Sequence, residues 1–234
     1  MNLNNEVLKQ NDMRQGRFMS NSRQSIVQRL LLTCCTPAQC TALLQSVKVF
    51  PRLMEEAGSD TVSRAVLAQT LNLLLFHDLL DRVPTAKQYV EERAVKGKHI
   101  VFDHGALRTV ALSGMGDLPA GDEAIARVLL PLGYKMSAVY PLDRLRMTGR
   151  SYTHVDYPEE LPQFFVSELH PERFSAEFQA AVVRVTASSR DPLTASAKQL
   201  LNEMDARGAL SFDQAAALLP VLLACFQRQH GTPY

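Results

Sequence analysis

The chain is organised around one strand-like run, residues 99–110, with the sequence HIVFDHGALRTV. β-Branched and aromatic residues surround its polar centre, and these residue types favour a strand that is buried on at least one face. Because side chains alternate between the two faces of a strand, Phe102, His104, Ala106 and Arg108 are predicted to point in the same direction. At about 3.3 Å per residue, His104 and Arg108 lie roughly 13 Å apart along the strand. The run therefore predicts a sheet that presents an imidazole and a guanidinium on one surface.

These two side chains suit a metal site with a bound anion. An imidazole nitrogen is a common metal ligand, and the guanidinium of Arg108 can pair with a carboxylate through two parallel hydrogen bonds. The same pattern is also typical of a partly buried His104 with an ordinary arginine at the end of the strand. Spacing alone leaves both interpretations open.

Three segments form a set of motifs that supports the first interpretation. Residues 102–109 are FDHGALRT, Leu132-Gly133-Tyr134 precedes a predicted strand, and residues 161–169 are LPQFFVSEL. In these segments and in their order, the chain resembles the 2-oxoadipate dioxygenase/decarboxylase family, whose members are also called hydroxyglutarate synthases. The corresponding blocks of the family are FDH-x-ALRT, LGY and LP-x-(I/F)F-(I/V)SEL. The resemblance covers residues 95–175, and three ordered matches make it a specific signal.

The resemblance implies an iron(II) enzyme of lysine catabolism, which converts 2-oxoadipate and dioxygen to 2-hydroxyglutarate and carbon dioxide. Members of the family hold Fe(2+) with two histidines and one glutamate. His104 matches the first of these histidines, and Arg108 matches the arginine that binds the 2-oxo acid. The resemblance therefore makes both residues the expected catalytic and substrate-binding groups, with His104 as the metal ligand.

The second histidine and the glutamate of the family have no motif match here, so we expect a shortened member that lacks the C-terminal half. His154 and Glu168, on strands predicted near the motif strand, are candidate replacement ligands. Each also has an ordinary interpretation: His154 is a strand histidine beside Asp156, and Glu168 pairs with a basic group or caps a turn. With one matched ligand, residues 1–234 alone are expected to bind iron(II) poorly and to turn over 2-oxoadipate little or not at all.

The pattern of elements predicts an α+β fold that is predominantly helical with a small mixed β-sheet. Residues 1–22 are predicted to form a flexible tail, 23–97 a helical region, 98–170 the sheet module with the metal site, and 171–234 the C-terminal helices, in one compact domain overall. Within the sheet module, the order strand, helix, strand, strand, strand resembles one module of the vicinal oxygen chelate architecture. Paired modules of that architecture curl around a metal.

Composition argues against several classes of partner. Lys and Arg number 25 against 24 Asp and Glu, so no basic excess favours nucleic acid. No apolar run reaches the ~18 residues that span a bilayer, and residues 1–22 lack the apolar core of a signal peptide. We therefore expect a cytoplasmic protein without a membrane partner. The four cysteines suit reduced thiols, because their spacing does not provide two ligand pairs for zinc.

Two other functions compete with the dioxygenase. A catalytically impaired family member would act as an association module, which self-associates through apolar surface that the missing half would otherwise cover. A glyoxalase-type metal-dependent isomerase or lyase would use the same sheet with other ligands. Metal content separates the dioxygenase from the association module, and oxygen consumption separates it from the isomerase.

Overall fold

The structure, a computed structural model, describes residues 24–54 and 60–227, and the predicted tail at 1–22 lies outside these ranges. Helical residues far outnumber strand residues among those described, so the predominantly helical α+β prediction is confirmed. The helices are α1 (Ile26–Cys34), α2 (Pro37–Ser46), α3 (Pro51–Met54), α4 (Arg64–Arg82), α5 (Pro84–Val95), α6 (Glu123–Leu129), α7 (Ala176–Thr186), α8 (Ala195–Arg207) and α9 (Phe212–Cys225). Short 3-10 turns occupy Asp143–Leu145 and Pro171–Arg173.

Hydroxyl side chains start several of these helices. The side chains of Ser25, Thr36 and Ser211 each accept a hydrogen bond from the backbone N–H three residues later. The residue at that position is a glutamine, whose side-chain oxygen accepts the backbone N–H of the cap residue. Such a capping box satisfies two N–H groups that have no partner within the helix.

The central helix is α4, in which every residue from 65 to 74 is buried. A helical segment that is enclosed on all sides must lie in the core, and the other helices and the sheet pack around this first half of α4.

The main sheet has four strands in the order β2-β5-β4-β3. The strands of the chain are β1 (Thr61–Ser63), β2 (His104–Val110), β3 (Tyr134–Leu142), β4 (Met147–His154), β5 (Gln163–Leu169) and β6 (Ala209–Ser211). β2 and β5 are parallel, whereas the β5–β4 and β4–β3 pairs are antiparallel. The sheet is therefore mixed, and with α6 between β2 and β3 its connectivity has the predicted vicinal-oxygen-chelate-like character.

The sequence does not predict the two-stranded ribbon of β1 and β6. Val62 lies opposite Leu210 in this antiparallel pair, and both side chains are buried. Each strand leads directly into a helix, because Ser63 caps α4 and Ser211 caps α9. Three residues are too few for an alternating apolar pattern, so only the packed fold reveals this pairing.

The organising strand is shorter than predicted, since β2 begins at His104 and not at residue 99. Upstream of it, the Ile100 N–H donates to the carbonyl oxygen of Ser46 at 2.7 Å. The ring of Phe102 packs against Phe76 of α4, with 5.3 Å between the ring centroids. The prediction that Phe102 shares a face with His104 is therefore wrong, because contacts with the helices turn Phe102 towards the core.

Helices cover one face of the sheet. On that face the Asn72 amide donates to the Tyr134 hydroxyl at 2.9 Å, and the rings of Phe164 and Phe226 lie 5.8 Å apart. The opposite surface, which we call the open face, is formed by His104, Ala106 and Arg108 of β2, Gln163, Phe165 and Ser167 of β5, Gly149, Ser151 and Thr153 of β4, and Tyr140 of β3. His104, Arg108 and Tyr140 are exposed there.

Among the described helices, none is long and apolar enough to cross a membrane.

Candidate functional site

The open face brings the two motif residues of β2 into register with the other strands. Arg108 lies opposite Ser167 of β5, Ser167 lies opposite Gly149 of β4, and Gly149 lies opposite Tyr140 of β3. His104 begins the same strand, four residues before Arg108. Because residues that lie directly opposite each other project from the same face, these side chains share one surface. The sequence prediction that His104 and Arg108 lie on one face agrees with this register.

His104 combines an exposed ring with a fixed neighbour. Its side chain is 59% exposed, and its Nδ1 lies 3.1 Å from Oδ1 of Asp103. The same Asp103 oxygen accepts the backbone N–H of His104 at 2.9 Å. Among residues 24–54 and 60–227, no side chain or backbone group forms a hydrogen bond with His104 Nε2. The ring therefore offers one free nitrogen to a ligand on the open face.

Arg108 differs from the paired arginines of the fold. The guanidinium groups of Arg64 and Arg127 each make two hydrogen bonds to a carboxylate, those of Asp156 and Asp191. The exposed guanidinium of Arg108 has no hydrogen bond or ion pair within the described part of the chain. An unpaired guanidinium retains all its donors for an added anion, and a carboxylate matches its geometry.

Aromatic rings and hydroxyl groups complete the open face, and sequence reasoning did not identify them. The ring of Phe165 lies across Gly149, where an added Cβ would overlap the ring, and its centroid is 5.6 Å from that of Tyr140. Nearby, Ser137 Oγ lies 2.8 Å from Ser151 Oγ. The alternation of Gly149, Ser151 and Thr153 along β4 was the available signal, because residues at every second position of a strand share one face.

His154 does not lie on the open face. It is fully buried, and its Nδ1 accepts the backbone N–H groups of Asp156 and Tyr157 at 3.1 and 3.3 Å. It lies opposite Tyr134, whose hydroxyl is bonded to α4 on the covered face. Burial lowers the pKa of His154 to about 4, while the Asp156 carboxylate raises it and Arg64 lowers it further. The structure thus does not bring this candidate ligand to His104.

Glu168 also lies on the covered face, in a network of charged groups. Its Oε1 accepts from Arg150 at 3.0 Å, and its Oε2 accepts from the backbone N–H of Asp122 at 2.9 Å. The Asp122 carboxylate in turn accepts a hydrogen bond from the Tyr152 hydroxyl at 2.5 Å. Burial raises the pKa of Tyr152, and this hydrogen bond raises it further. Glu168 therefore ties the turn before α6 to the sheet. Both of its oxygens are occupied, which matches the ion-pair interpretation of this residue.

A metal site requires several donor side chains around one point. Within residues 24–54 and 60–227, no three His, Cys, Asp or Glu side chains are placed to hold one ion together. His104 fits a single coordination position, because its Nε2 is accessible and unpaired. A site of two imidazoles and one carboxylate needs two further ligands, and these do not come from His154 or Glu168 as they are placed here.

Comparisons of the sequence with known proteins agree with the motifs. The model of the 2-oxoadipate dioxygenase/decarboxylase family matches residues 69–233. A curated chloroplastic/amyloplastic 2-oxoadipate dioxygenase/decarboxylase from Oryza sativa subsp. japonica is 28% identical over 141 residues, which are 56% of this chain and 36% of that protein. The chain thus spans about a third of the length of this relative.

A solved structure with 48% sequence identity to this chain supports the fold. A protein from Ralstonia eutropha JMP134, described as a member of the glyoxalase superfamily, superposes with a TM-score of 0.84 and 48% identity over 89% of this chain and 65% of its own. A hydroxyglutarate synthase from Oryza sativa, solved with 2-oxoadipate, gives a TM-score of 0.47 and 21% identity, covering 61% of this chain and 46% of its own. Because the family model spans most of the chain and includes both the FDHGALRT and LPQFFVSEL segments, the chain belongs to the 2-oxoadipate dioxygenase/decarboxylase family.

Proposed function

We propose that the open face binds a 2-oxo acid, and that the protein is an iron(II)-dependent dioxygenase/decarboxylase acting on 2-oxoadipate and dioxygen. The observation that carries this proposal is the unpaired guanidinium of Arg108, on the same exposed surface as the free Nε2 of His104. Within the described residues, a cation without a partner on the same face as a free imidazole suits an anionic substrate that is bound next to a metal. Membership of the family supplies the proposed substrate and reaction, which gives 2-hydroxyglutarate and carbon dioxide.

Arg108 is the proposed anchor of the substrate. Its guanidinium grips one carboxylate through two parallel hydrogen bonds, which fixes the orientation of the acid as well as its position. The hydroxyl of Ser167, in register with Arg108, can donate to the same carboxylate. Beyond them, the neighbouring rings of Phe165 and Tyr140 offer an apolar surface for the carbon chain of the acid.

His104 is the proposed ligand for the metal. Iron(II) with open coordination positions supplies the activation of dioxygen when it is bound. The role of the protein on the open face is to hold the imidazole with Nε2 outward and to keep the 2-oxo acid beside it. Because the described residues bring one histidine to this surface, iron(II) is expected to bind weakly to residues 1–234 by themselves.

An oxygen-electrode assay with iron(II) in large excess tests this function. We expect slow oxygen uptake that requires 2-oxoadipate and releases carbon dioxide, and we expect His104→Ala to abolish it. His99→Ala is the matched control, since His99 is exposed and lies outside the open face, beside the carbonyl oxygen of Gln45. Absence of uptake, or uptake that His104→Ala leaves unchanged, would refute the proposed dioxygenase. Conversion of substrate without oxygen consumption would instead favour an isomerase or lyase.

A further inference from the structure

Asp103 makes two contacts to the residue that follows it, and both use one oxygen. Its Oδ1 accepts the backbone N–H of His104 at 2.9 Å and lies 3.1 Å from Nδ1 of the same histidine. An ionised carboxylate can only accept hydrogen bonds. At this distance the carboxylate attracts a proton on Nδ1 and repels a lone pair there, which favours the neutral ring with its lone pair on Nε2.

We propose that Asp103 is a positioning residue, which holds the neutral His104 ring as the Nδ1–H tautomer and turns its Nε2 lone pair towards the open face. The inference rests on the proposed function for its purpose, since a ring held in this way is ready to bind a metal through Nε2. A carboxylate bonded to the far nitrogen of a ligand histidine fixes the orientation of the ring and increases its basicity. The tautomer itself is a property of the chain without metal or substrate.

The backbone around Asp103 is held in place, although its side chain is 79% exposed. The Gln163 N–H donates to the Asp103 carbonyl oxygen at 2.8 Å, which ties this residue to the start of β5. On the preceding residue, the ring of Phe102 packs against Phe76 of α4. Because the Cα position is fixed from both sides and one oxygen is bonded to the His104 N–H, the carboxylate remains within reach of the ring.

Two other histidines provide internal references for the tautomers. The Nδ1 of His99 lies 2.8 Å from the carbonyl oxygen of Gln45, which can only accept, so His99 carries its proton on Nδ1. The Nδ1 of His154 accepts two backbone N–H groups, so this ring carries its proton on Nε2. One spectrum of the protein therefore contains an example of each neutral tautomer, with which His104 can be compared.

The test is a long-range 1H–15N correlation spectrum of the metal-free protein at about pH 8, well above the ordinary histidine pKa of about 6.5. We expect His104 to show the pattern of His99, and Asp103→Ala to change it towards the pattern of His154. Asp103→Asn should retain the wild-type pattern, because its amide oxygen still accepts a hydrogen bond from Nδ1. Unchanged signals of His99 and His154 in each variant show that the fold is intact.

Two results of the spectrum would overturn the inference: a wild-type His104 with the pattern of His154, or a pattern that Asp103→Ala leaves unchanged. As a second readout, Asp103→Ala should weaken iron(II) binding by roughly 10- to 100-fold, the usual effect of removing such a partner. Equal iron affinity in the two proteins would also contradict the positioning role. The spectrum is recorded on protein without metal or 2-oxoadipate, so failure of the proposed function would not change the tautomer result. Failure of the tautomer test would in turn leave the proposed binding of the 2-oxo acid through Arg108 unaffected.

Discussion

Burial of His154 should make the stability of this fold depend on pH. The buried ring has a pKa lowered to about 4, whereas an unfolded chain has the ordinary value of about 6.5. Above pH 6.5 the ring is neutral in both states, and folding is not opposed. As the pH falls from about 6.5 to 4, the unfolded chain takes up a proton that the folded protein excludes, so stability is lost over this window. The difference between the two pKa values corresponds to about 3 kcal/mol in the free energy of unfolding, of which about 2.5 kcal/mol is lost by about pH 4.5.

Urea unfolding at about pH 7.5 and pH 4.5 measures this loss as the difference between two free energies of unfolding. His154→Gln should be less stable at both pH values, but its own difference should be much smaller, because an amide does not ionise. His99→Gln is the control that should keep the wild-type difference, since His99 is exposed. If the wild type lost less than about 1 kcal/mol between these pH values, or if His154→Gln lost as much as the wild type, the assignment of a buried neutral ring would be refuted.

Two further pairs of substitutions, each a test with its control, probe how the covered face is built. Gly133 has a φ of +87°, and a Cβ there would lie 2.8 Å from both Arg64 Cδ and His154 Nε2, so Gly133→Ala should lower the free energy of unfolding by more than about 2 kcal/mol. In Gly114→Ala, where φ is +81° and no described residue beyond the two chain neighbours comes within 4 Å of the added Cβ, thermal unfolding should show only the smaller backbone cost of about 1 kcal/mol. Glu168→Gln weakens a nearly buried ion pair and should cost about 2 kcal/mol, whereas Glu172→Gln, at a side chain that is 61% exposed, should cost less than about 1 kcal/mol. Equal losses within either pair would contradict the packing described for that pair.

Local sequence patterns predicted those elements whose boundaries are set by nearby residues. The bounds of β5, Gln163–Leu169, agree with the predicted strand, and α4 ends one residue before its predicted end because Pro84 follows. The start of β2 was not predictable in this way. Ile100 and Phe102 continue the apolar run of the strand, but contacts with α2 and α4 remove them from the sheet.

The candidate site shows the same division between local and long-range information. Alternation along β2 correctly placed His104 and Arg108 on one face, since that depends only on the period of a strand. It could not tell which face of the sheet the helices cover. That depends on contacts such as the one between Asn72 and Tyr134, which are 62 residues apart. For this reason the sequence offered His154 as a ligand, although its ring lies on the covered side.

The central claim, that the open face holds a 2-oxo acid through Arg108, is tested most directly by calorimetric titration of 2-oxoadipate. Arg108→Lys retains the charge but loses the planar guanidinium, which donates two parallel hydrogen bonds to a carboxylate. The affinity of the variant for 2-oxoadipate should therefore fall by about 10- to 100-fold, as expected for lost hydrogen bonds between charged groups. Arg144→Lys, at another exposed arginine in the turn between β3 and β4, should bind like the wild type. Equal affinity in wild type and Arg108→Lys would contradict the account.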